Sequence, residues 1–184
     1  MSVRPVRIYG DPVLRERARE ATAVDDTMRA LVADMYETMD AYRGVGLAAN
    51  QVGVLQRVLV ADVPLDEERR ARMALVNPVL DRRSGTETGE EGCLSIPGIF
   101  DDVRRSRQVR VRALDEHGKP VEFVAEGYLA RAIQHEVDHL DGVLFVDRLS
   151  LLKRQFLRPH LDALARGERP GSGEASPAPA GGPI

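Results

Sequence analysis

The spacing of apolar residues changes several times along the chain, and each change predicts a new element. In the segment 26–43 apolar residues recur at helical spacing, which predicts a first helix. They are Leu31, Val32, Met35, Tyr36 and Met39. Asp25 or Asp26 can cap the start of this helix, and Gly44 stands where a helix commonly ends.

Four later runs favour strands. RVLVADV (57–63) and MALVNPVLD (73–81) are rich in β-branched and aliphatic residues, and the charged segment between them is typical of a turn. QVRVRAL (108–114) alternates strictly between polar and apolar residues. A glycine-bearing turn separates it from PVEFVAE (120–126), so these two runs predict a hairpin.

The next segment predicts a second helix, which runs from about Tyr128 to Leu140 and ends before Asp141-Gly142. A short strand, VLFVD (143–147), is expected directly after it, because three of its five residues are β-branched or aromatic. The central helix is therefore expected to lie between strands in the chain.

A third helix is predicted for residues 150–167, with Ser150 as its cap and Pro159 expected to kink or split it. Several strands precede the helix that carries two histidines, and one more helix follows that helix. This order predicts an α+β fold in which small antiparallel or mixed sheets surround a central helix and the C-terminal helix docks outside.

The composition limits the domain organisation. The chain has 184 residues, of which 43% are apolar, and this predicts a single domain with a sizeable core. Residues 168–184 consist mainly of proline, glycine, alanine and serine, which bury little surface. We therefore expect a catalytic domain over 1–167 and a disordered tail over 168–184.

Charge and cysteine content exclude several classes of protein. The net charge of −3 and the absence of tryptophan argue against a protein whose main role is to bind nucleic acid. A single cysteine excludes a disulfide within the chain. The sequence contains neither an apolar signal segment nor an apolar run long enough to span a bilayer, so we expect a soluble, cytoplasmic protein without membrane contacts.

The stretch QHEVDHLDG (134–142) carries the strongest chemical signal. On a helix, His135 and His139 lie on one face and can bind one cation, while Glu136 is close enough to reach a water beside it. The alternative is an ordinary helix that contains two histidines. Because the chain has four histidines in all, an accidental pair in this pattern is improbable.

A third metal ligand is harder to find. The metzincin pattern requires a third histidine where this chain has Phe145, and the downstream glutamates, Glu168 and Glu174, lie at or in the predicted tail. Upstream, Cys93 lies in GEEGCLSIPG, which we interpret as a loop bounded by glycine and proline. Its thiolate would complete a Cys-His-His set and leave a fourth position for water. A lone cysteine is otherwise usually a small buried residue.

Three motifs in order resemble the signature of bacterial peptide deformylases: GVGLAANQVG (44–53), EGCLSIPG (91–98) and QHEVDHLDG (134–142). The resemblance extends from about Arg7 to the last helix and implies the fold of that family. It implies an enzyme that removes the formyl group from the N-terminal formylmethionine of newly made polypeptides and releases formate.

The same resemblance implies that Cys93, His135 and His139 bind one divalent metal. Ferrous iron (Fe2+) is the usual native metal of the family, and zinc (Zn2+), nickel (Ni2+) or cobalt (Co2+) can replace it. The ligand set itself does not select among these ions, because thiolate and imidazole suit several of them.

The resemblance also assigns roles in the reaction. Glu136 is the general base and later the general acid, and the Gln51 side chain and the Leu94 backbone N–H donate to the carbonyl oxygen. From its position alone, Gln51 would be interpreted as a solvated residue after a glycine-rich turn. For Asp138 two interpretations are open: a group that orients a metal ligand, or an exposed helix carboxylate.

The substrate is expected to lie extended between Val45-Gly46 and Gly92 and to add a strand to a sheet edge. An apolar slot for the methionine side chain is expected from Val45, Tyr128, Leu129 and Ala132. Arg131 is expected to line this slot with its aliphatic stem while its charge reaches solvent.

The third predicted helix is locally basic, with Lys153, Arg154 and Arg158. In some relatives a C-terminal helix docks on the ribosome, whereas the alternative is an ordinary solvated face. Two rival functions are a zinc endopeptidase, which H-E-x-x-H alone favours, and a binding module with a structural metal. The second is disfavoured because structural zinc sites normally have four protein ligands and Glu136 is intact.

Overall fold

The computed structural model describes residues 2–168, which form three α-helices and seven strands. The helices are α1 (Asp26–Ala41), α2 (Gly127–Leu140) and α3 (Leu151–Ala165). The strands are β1 (Gly46–Ala48), β2 (Val58–Pro64), β3 (Arg70–Ser84), β4 (Glu87–Cys93), β5 (Ile96–Arg105), β6 (Gln108–Leu114) and β7 (Pro120–Glu126). Short 3₁₀ helices span Pro12–Arg15, Ala49–Val52 and Phe145–Arg148.

The predicted tail lies almost wholly outside the described residues. Of the segment 168–184, the structure describes Glu168, whose carboxylate lies 2.7 Å from Nε of Arg166. The division into a domain over 1–167 and a tail therefore stays a prediction.

The strands form two separate antiparallel sheets. The larger has the order β1-β2-β3-β6-β7, and the smaller is the β4–β5 hairpin. β1 is an edge strand of the larger sheet, where Gly46 pairs with Ala61 of β2. One side of β1 is thus paired within the sheet, and within residues 2–168 no strand pairs with its other side.

The helices α1 and α2 pack on opposite faces of the larger sheet, against side chains that alternate along its strands. In β2, Val58 and Val60 pack with the apolar face of α1, whereas Leu59 packs with α2. Successive side chains of a strand point to opposite faces, so one apolar strand contributes to two cores. The apolar face of α1 is Met28, Leu31, Val32, Met35 and Met39, and that of α2 is Ala130, Ile133, Val137 and Leu140.

A third core lies under the β4–β5 hairpin. Cys93, Ile96 and Val103 of the hairpin pack with Leu14 and with the buried face of α3, which is Leu161 and Leu164. Since α3 buries these leucines and exposes most of its other residues, it docks on the outside of the molecule. The predicted α+β class with an outer C-terminal helix is confirmed.

The predicted strand VLFVD is wrong. Leu144, Phe145 and Val146 are consecutive buried residues, and the chain forms a 3₁₀ helix over Phe145–Arg148. A strand in a half-buried sheet would bury alternate residues, whereas a single turn can bury three in a row. The Asp147 carboxylate caps this turn by accepting the Leu144 N–H at 2.8 Å.

A kink or a split was expected at Pro159, and the split is wrong, because α3 is continuous from Leu151 to Ala165. Proline removes the hydrogen bond to the carbonyl four residues earlier, which belongs to Gln155. Both residues are exposed, so water can satisfy that carbonyl and the helix continues.

The predicted loop around Cys93 is a hairpin. Cys93 is the last residue of β4 and pairs with Ile96, the first residue of β5, across the two-residue turn Leu94-Ser95. The sequence did not predict β4, because this strand buries the charged Glu91 at a position where a strand pattern would have an apolar residue.

A membrane-spanning helix needs sufficient length and hydrophobicity. Within residues 2–168, none of the helices is long and apolar enough to cross a bilayer.

Candidate metal centre

The thiol and the two imidazoles singled out in the sequence lie together in the interior. Cys93 ends β4, and His135 and His139 lie one turn apart on α2. One ligand atom from each residue lies within 4.8 Å of the others, and the Cys93 sulfur is 3.2 Å from Nε2 of His139. All three side chains are buried, so the group is arranged like a ligand set around one small cation.

The hydrogen bonds of His135 indicate that these residues fit a metal. Its Nδ1 lies 3.0 Å from a carboxylate oxygen of Glu91. Its Nε2 is buried and has no hydrogen-bond partner among the described residues. A buried imidazole nitrogen beside a thiol is a costly arrangement unless a cation binds there, and a carboxylate on the other nitrogen is the usual support of a metal-binding histidine.

Glu91 joins the metal centre to two arginines. Its fully buried carboxylate accepts two hydrogen bonds from the Arg105 guanidinium, both at 2.9 Å, and one from Arg131 at 2.9 Å. Burial alone would raise the pKa of Glu91, but the hydrogen bonds from Arg105 and His135 hold it well below its usual range. The carboxylate is therefore charged and orients the His135 ring.

The expectation that the Arg131 charge reaches solvent is wrong. The guanidinium does not reach solvent: Arg131 is 4% exposed, and it donates to Glu91 and to the carbonyls of Glu87, Gly89 and Val103. The physical reason is that a buried carboxylate requires cationic partners. Arg131 precedes His135 by one helical turn, so both side chains can reach Glu91, and this spacing was visible in the sequence.

Asp138 is a buried partner of the same network, and the interpretation as an exposed carboxylate is wrong. It lies between Arg105 and Arg148 and accepts hydrogen bonds from both. Because Arg105 also holds Glu91, the chain of contacts extends from Asp138 through Arg105 and Glu91 to His135. Sequence reasoning missed Arg105 entirely, since nothing local marks an arginine at the end of a strand as buried.

Glu136 lies in the interior against the backbone of β1. A Cβ at Gly46 would lie 2.5 Å from Oε1 of Glu136, so this approach requires glycine. The carboxyl is fully buried, and burial raises its pKa to about 7. Such a group can accept and return a proton near neutral pH.

Gln51 is held rigidly beside Cys93. Its side-chain oxygen accepts the Ala48 N–H at 2.8 Å, which turns the amide NH₂ toward Ser95 Oγ (3.2 Å) and the Cys93 sulfur (3.6 Å). Gln51 is buried, so the solvated alternative is wrong. Leu94 follows Cys93 in the hairpin turn, and its side chain packs against Gly44.

The residues expected to form the methionine slot are also brought together. Val45, Ala132, Tyr128 and Leu129 pack in one apolar cluster, which includes three residues that sequence reasoning missed: Ala61, Val63 and Met73. Gly92 lies close to the Phe100 ring, where a Cβ would be 2.4 Å from a ring carbon.

The chain matches a known family over most of its length. The family model described as "Polypeptide deformylase" matches residues 3–155. A protein of Alkalilimnicola ehrlichii named "Peptide deformylase" is 51% identical over 169 residues, which are 92% of this chain and 94% of that relative.

Solved structures of similar proteins share the fold. A peptide deformylase from Legionella pneumophila superposes with a TM-score of 0.82 at 43% identity, covering 92% of this chain and 100% of that one. A peptide deformylase from Ehrlichia chaffeensis, solved in complex with actinonin, gives a TM-score of 0.84 at 39% identity over 92% and 100%. The range matched by the family model, residues 3–155, includes α2, the β4–β5 hairpin and the edge strand β1.

Replacement of the thiol tests the ligand set. We expect Cys93→Ala to fold but to lose bound metal, because two imidazoles alone hold a divalent ion far more weakly than a set completed by a thiolate. The measurement is metal content per chain after dialysis against a metal buffer. His160→Ala, which removes an exposed histidine of α3, is the control and should keep full metal content. Equal metal content in both variants would contradict the assignment.

Replacement of Glu91 tests the buried network. Glu91→Gln leaves the charges of Arg105 and Arg131 without a buried counter-charge, which should lower the free energy of unfolding by on the order of 3 kcal/mol. It should also weaken metal binding by roughly 10- to 100-fold through His135. Urea unfolding and competitive metal titration measure the two effects. The exposed neighbour variant Glu90→Gln is the matched control; if both variants behave like the parent, the network is not structural.

Proposed function

The chain belongs to the polypeptide deformylase family, and we propose that Cys93, His135 and His139 hold the divalent metal that its reaction requires. The protein is a hydrolase that removes the formyl group from the N-terminal formylmethionine of newly made polypeptides and releases formate. The convergence of one thiol and two imidazoles within 4.8 Å is the observation that supports this metal site most directly.

We further propose ferrous iron as the native metal, on the strength of the family resemblance. Thiolate and imidazole ligands suit zinc, nickel and cobalt as well, so the donor set alone does not distinguish them. A divalent metal bound there supplies a Lewis acid that polarises the formyl carbonyl and lowers the pKa of water. Metal analysis of protein isolated without oxygen identifies the ion.

Glu136 is the proposed proton carrier. As the water oxygen attacks the formyl carbon, the Glu136 carboxylate takes the proton from that water. When the carbon–nitrogen bond breaks, Glu136 returns the proton to the leaving amine nitrogen, so that formate and a free N-terminus result. Its burial against Gly46 supports this role, because bulk water cannot easily exchange the proton in that position.

Gln51 and the Leu94 backbone N–H are the proposed donors to the carbonyl oxygen. Charge develops on this oxygen during attack, and donors that are already in place stabilise it most. The bond from Ala48 to the Gln51 side-chain oxygen fixes the amide, and the tight turn after Cys93 fixes the Leu94 backbone.

The peptide substrate is proposed to lie along the free side of β1. An edge strand offers unpaired backbone groups to an extended peptide, and Val45-Gly46 and Gly92 would lie on its two sides. The methionine side chain would enter the slot formed by Val45, Tyr128, Leu129 and Ala132. The grouping of these four residues in one apolar cluster supports this placement.

We propose that residues 1–167 form one catalytic unit and that the reaction takes place in the cytoplasm, because newly made polypeptides are the substrate. The zinc endopeptidase alternative does not apply to a member of this family.

Docking on the ribosome through α3 remains a proposal. Arg154 and Phe156 of this helix are exposed, whereas Lys153 forms an ion pair with Asp101. An exposed mixture of basic and apolar side chains fits an RNA–protein surface better than it fits water alone.

Replacement of Glu136 tests the proton-transfer role. We expect Glu136→Ala to keep the metal while formate release from formyl-Met-Ala-Ser falls by roughly 100- to 10,000-fold, because the proton acceptor is lost. Metal content and formate release are measured on the same anaerobic, iron-loaded preparation. Glu122→Ala, at an exposed position of β7, is the control. Full activity without the Glu136 carboxylate would rule out its role as general base.

Charge reversal on α3 tests docking. Arg154→Glu with Arg158→Glu should weaken co-sedimentation with ribosomes by about tenfold at low salt, because contacts with phosphates depend on charge. Formate release from a short free peptide should not change, since neither residue lies near the metal centre. Unchanged co-sedimentation would leave α3 as an ordinary solvated face.

A further inference from the structure

A polar pocket lies beside α2, separate from the metal centre. It has a volume of about 180 Å³. It is lined along one stripe of α2 by Gln134, Val137 and Asp138, and by the C-cap residue Asp141, whereas the adjacent stripe carries His135 and His139. The remaining walls come from the ends of β3 and β5 and from Arg148 of the 3₁₀ helix over Phe145–Arg148. Neither the proposed metal ligands nor Glu136 line this pocket.

Four arginines converge on this pocket: Arg83, Arg104, Arg105 and Arg148. The lining contains two carboxylates, and cations already neutralise both. Asp138 is bound between Arg105 and Arg148, and Asp141 lies 2.7 Å from Arg57, which is outside the lining. The pocket therefore carries an excess of positive charge.

Arg83 and Arg104 supply most of this excess. Both are exposed, and within residues 2–168 no salt bridge or side-chain hydrogen bond involves either guanidinium. Two such cations in the lining of one pocket repel each other, and a concave polar surface concentrates their field. An anion between them would relieve this repulsion.

Gln134 and Asp138 of the lining are held by hydrogen bonds. The Gln134 side chain exchanges two hydrogen bonds with the Ser106 backbone: it accepts the Ser106 N–H at 3.2 Å and donates to the Ser106 carbonyl at 2.8 Å. Asp138 fixes Arg148 by two hydrogen bonds. Of the guanidinium groups in the lining, those of Arg105 and Arg148 are thus already held in place, which lowers the entropy cost of binding an anion beside them.

We propose that this pocket binds a phosphate group. Planar guanidinium forks match the oxygens of phosphate in pairs, and several of them around one cavity favour an ion with more than one negative oxygen over a single carboxylate. The exposed neighbours Arg82 and Arg107 add positive charge at the same end of β3 and in the turn after β5. A phosphate in a nucleic-acid backbone and a free phosphate ion share this chemistry.

The test is a titration of the full, zinc-loaded chain, labelled with ¹⁵N and freed of excess metal. Inorganic phosphate should shift the amide signals of Ser106 and Gln134 in a saturable way, whereas acetate at equal ionic strength should not. The double variant Arg83→Gln/Arg104→Gln should bind phosphate about tenfold more weakly, because each lost guanidinium removes charge-assisted hydrogen bonds. The matched control, Arg154→Gln/Arg158→Gln on α3, carries the same change in net charge and should bind like the parent.

A short single-stranded RNA, titrated in the same way, distinguishes the two sources of phosphate. Salt-dependent RNA binding that the Arg83/Arg104 variant weakens would identify a nucleic-acid backbone as the ligand. Binding of inorganic phosphate alone would identify the free ion. The proposal is overturned if phosphate and acetate shift the same signals equally, or if the pocket variant and the α3 variant bind phosphate with equal affinity.

Discussion

The buried carboxylate of Glu91 is the constraint on which the rest of the site depends. It is fully buried, so it is stable only because Arg105, Arg131 and His135 all donate to it. These partners come from β5 and α2, while Glu91 itself belongs to β4. One carboxylate therefore fixes the hairpin to the helix and turns the His135 ring so that its second nitrogen faces Cys93.

The metal centre follows from this attachment. Cys93 stands two residues after Glu91 on the same strand, so the contact that anchors the carboxylate also delivers the thiol to the helix. On the opposite side, Gly46 lets the Glu136 carboxyl approach the edge strand β1. The proposed base, the proposed ligands and the free strand edge thus meet where the two sheets and α2 converge, which suits a hydrolase that acts on an extended peptide end.

Sequence patterns predicted what depends on local periodicity. The first helix, the 108–126 hairpin and the pairing of His135 with His139 on α2 all follow from regular spacing, and the structure has them within a few residues. The hairpin around Cys93 was not predicted, because its strand β4 buries the charged Glu91. The inward charge of Arg131 was not predicted, because its partner Glu91 is distant from it in sequence. The strand prediction for VLFVD was wrong for a similar reason. Its three consecutive buried residues are buried by tertiary contacts, so they show no strand or helix periodicity.

The most direct test of this account is X-ray absorption at the zinc edge of the fully loaded protein. The account predicts one sulfur at about 2.3 Å and two imidazole nitrogens at about 2.0–2.1 Å, with any remaining ligand a light atom. A first shell without sulfur, or one with a single imidazole, would show that Cys93, His135 and His139 do not share one metal and would contradict the centre described above.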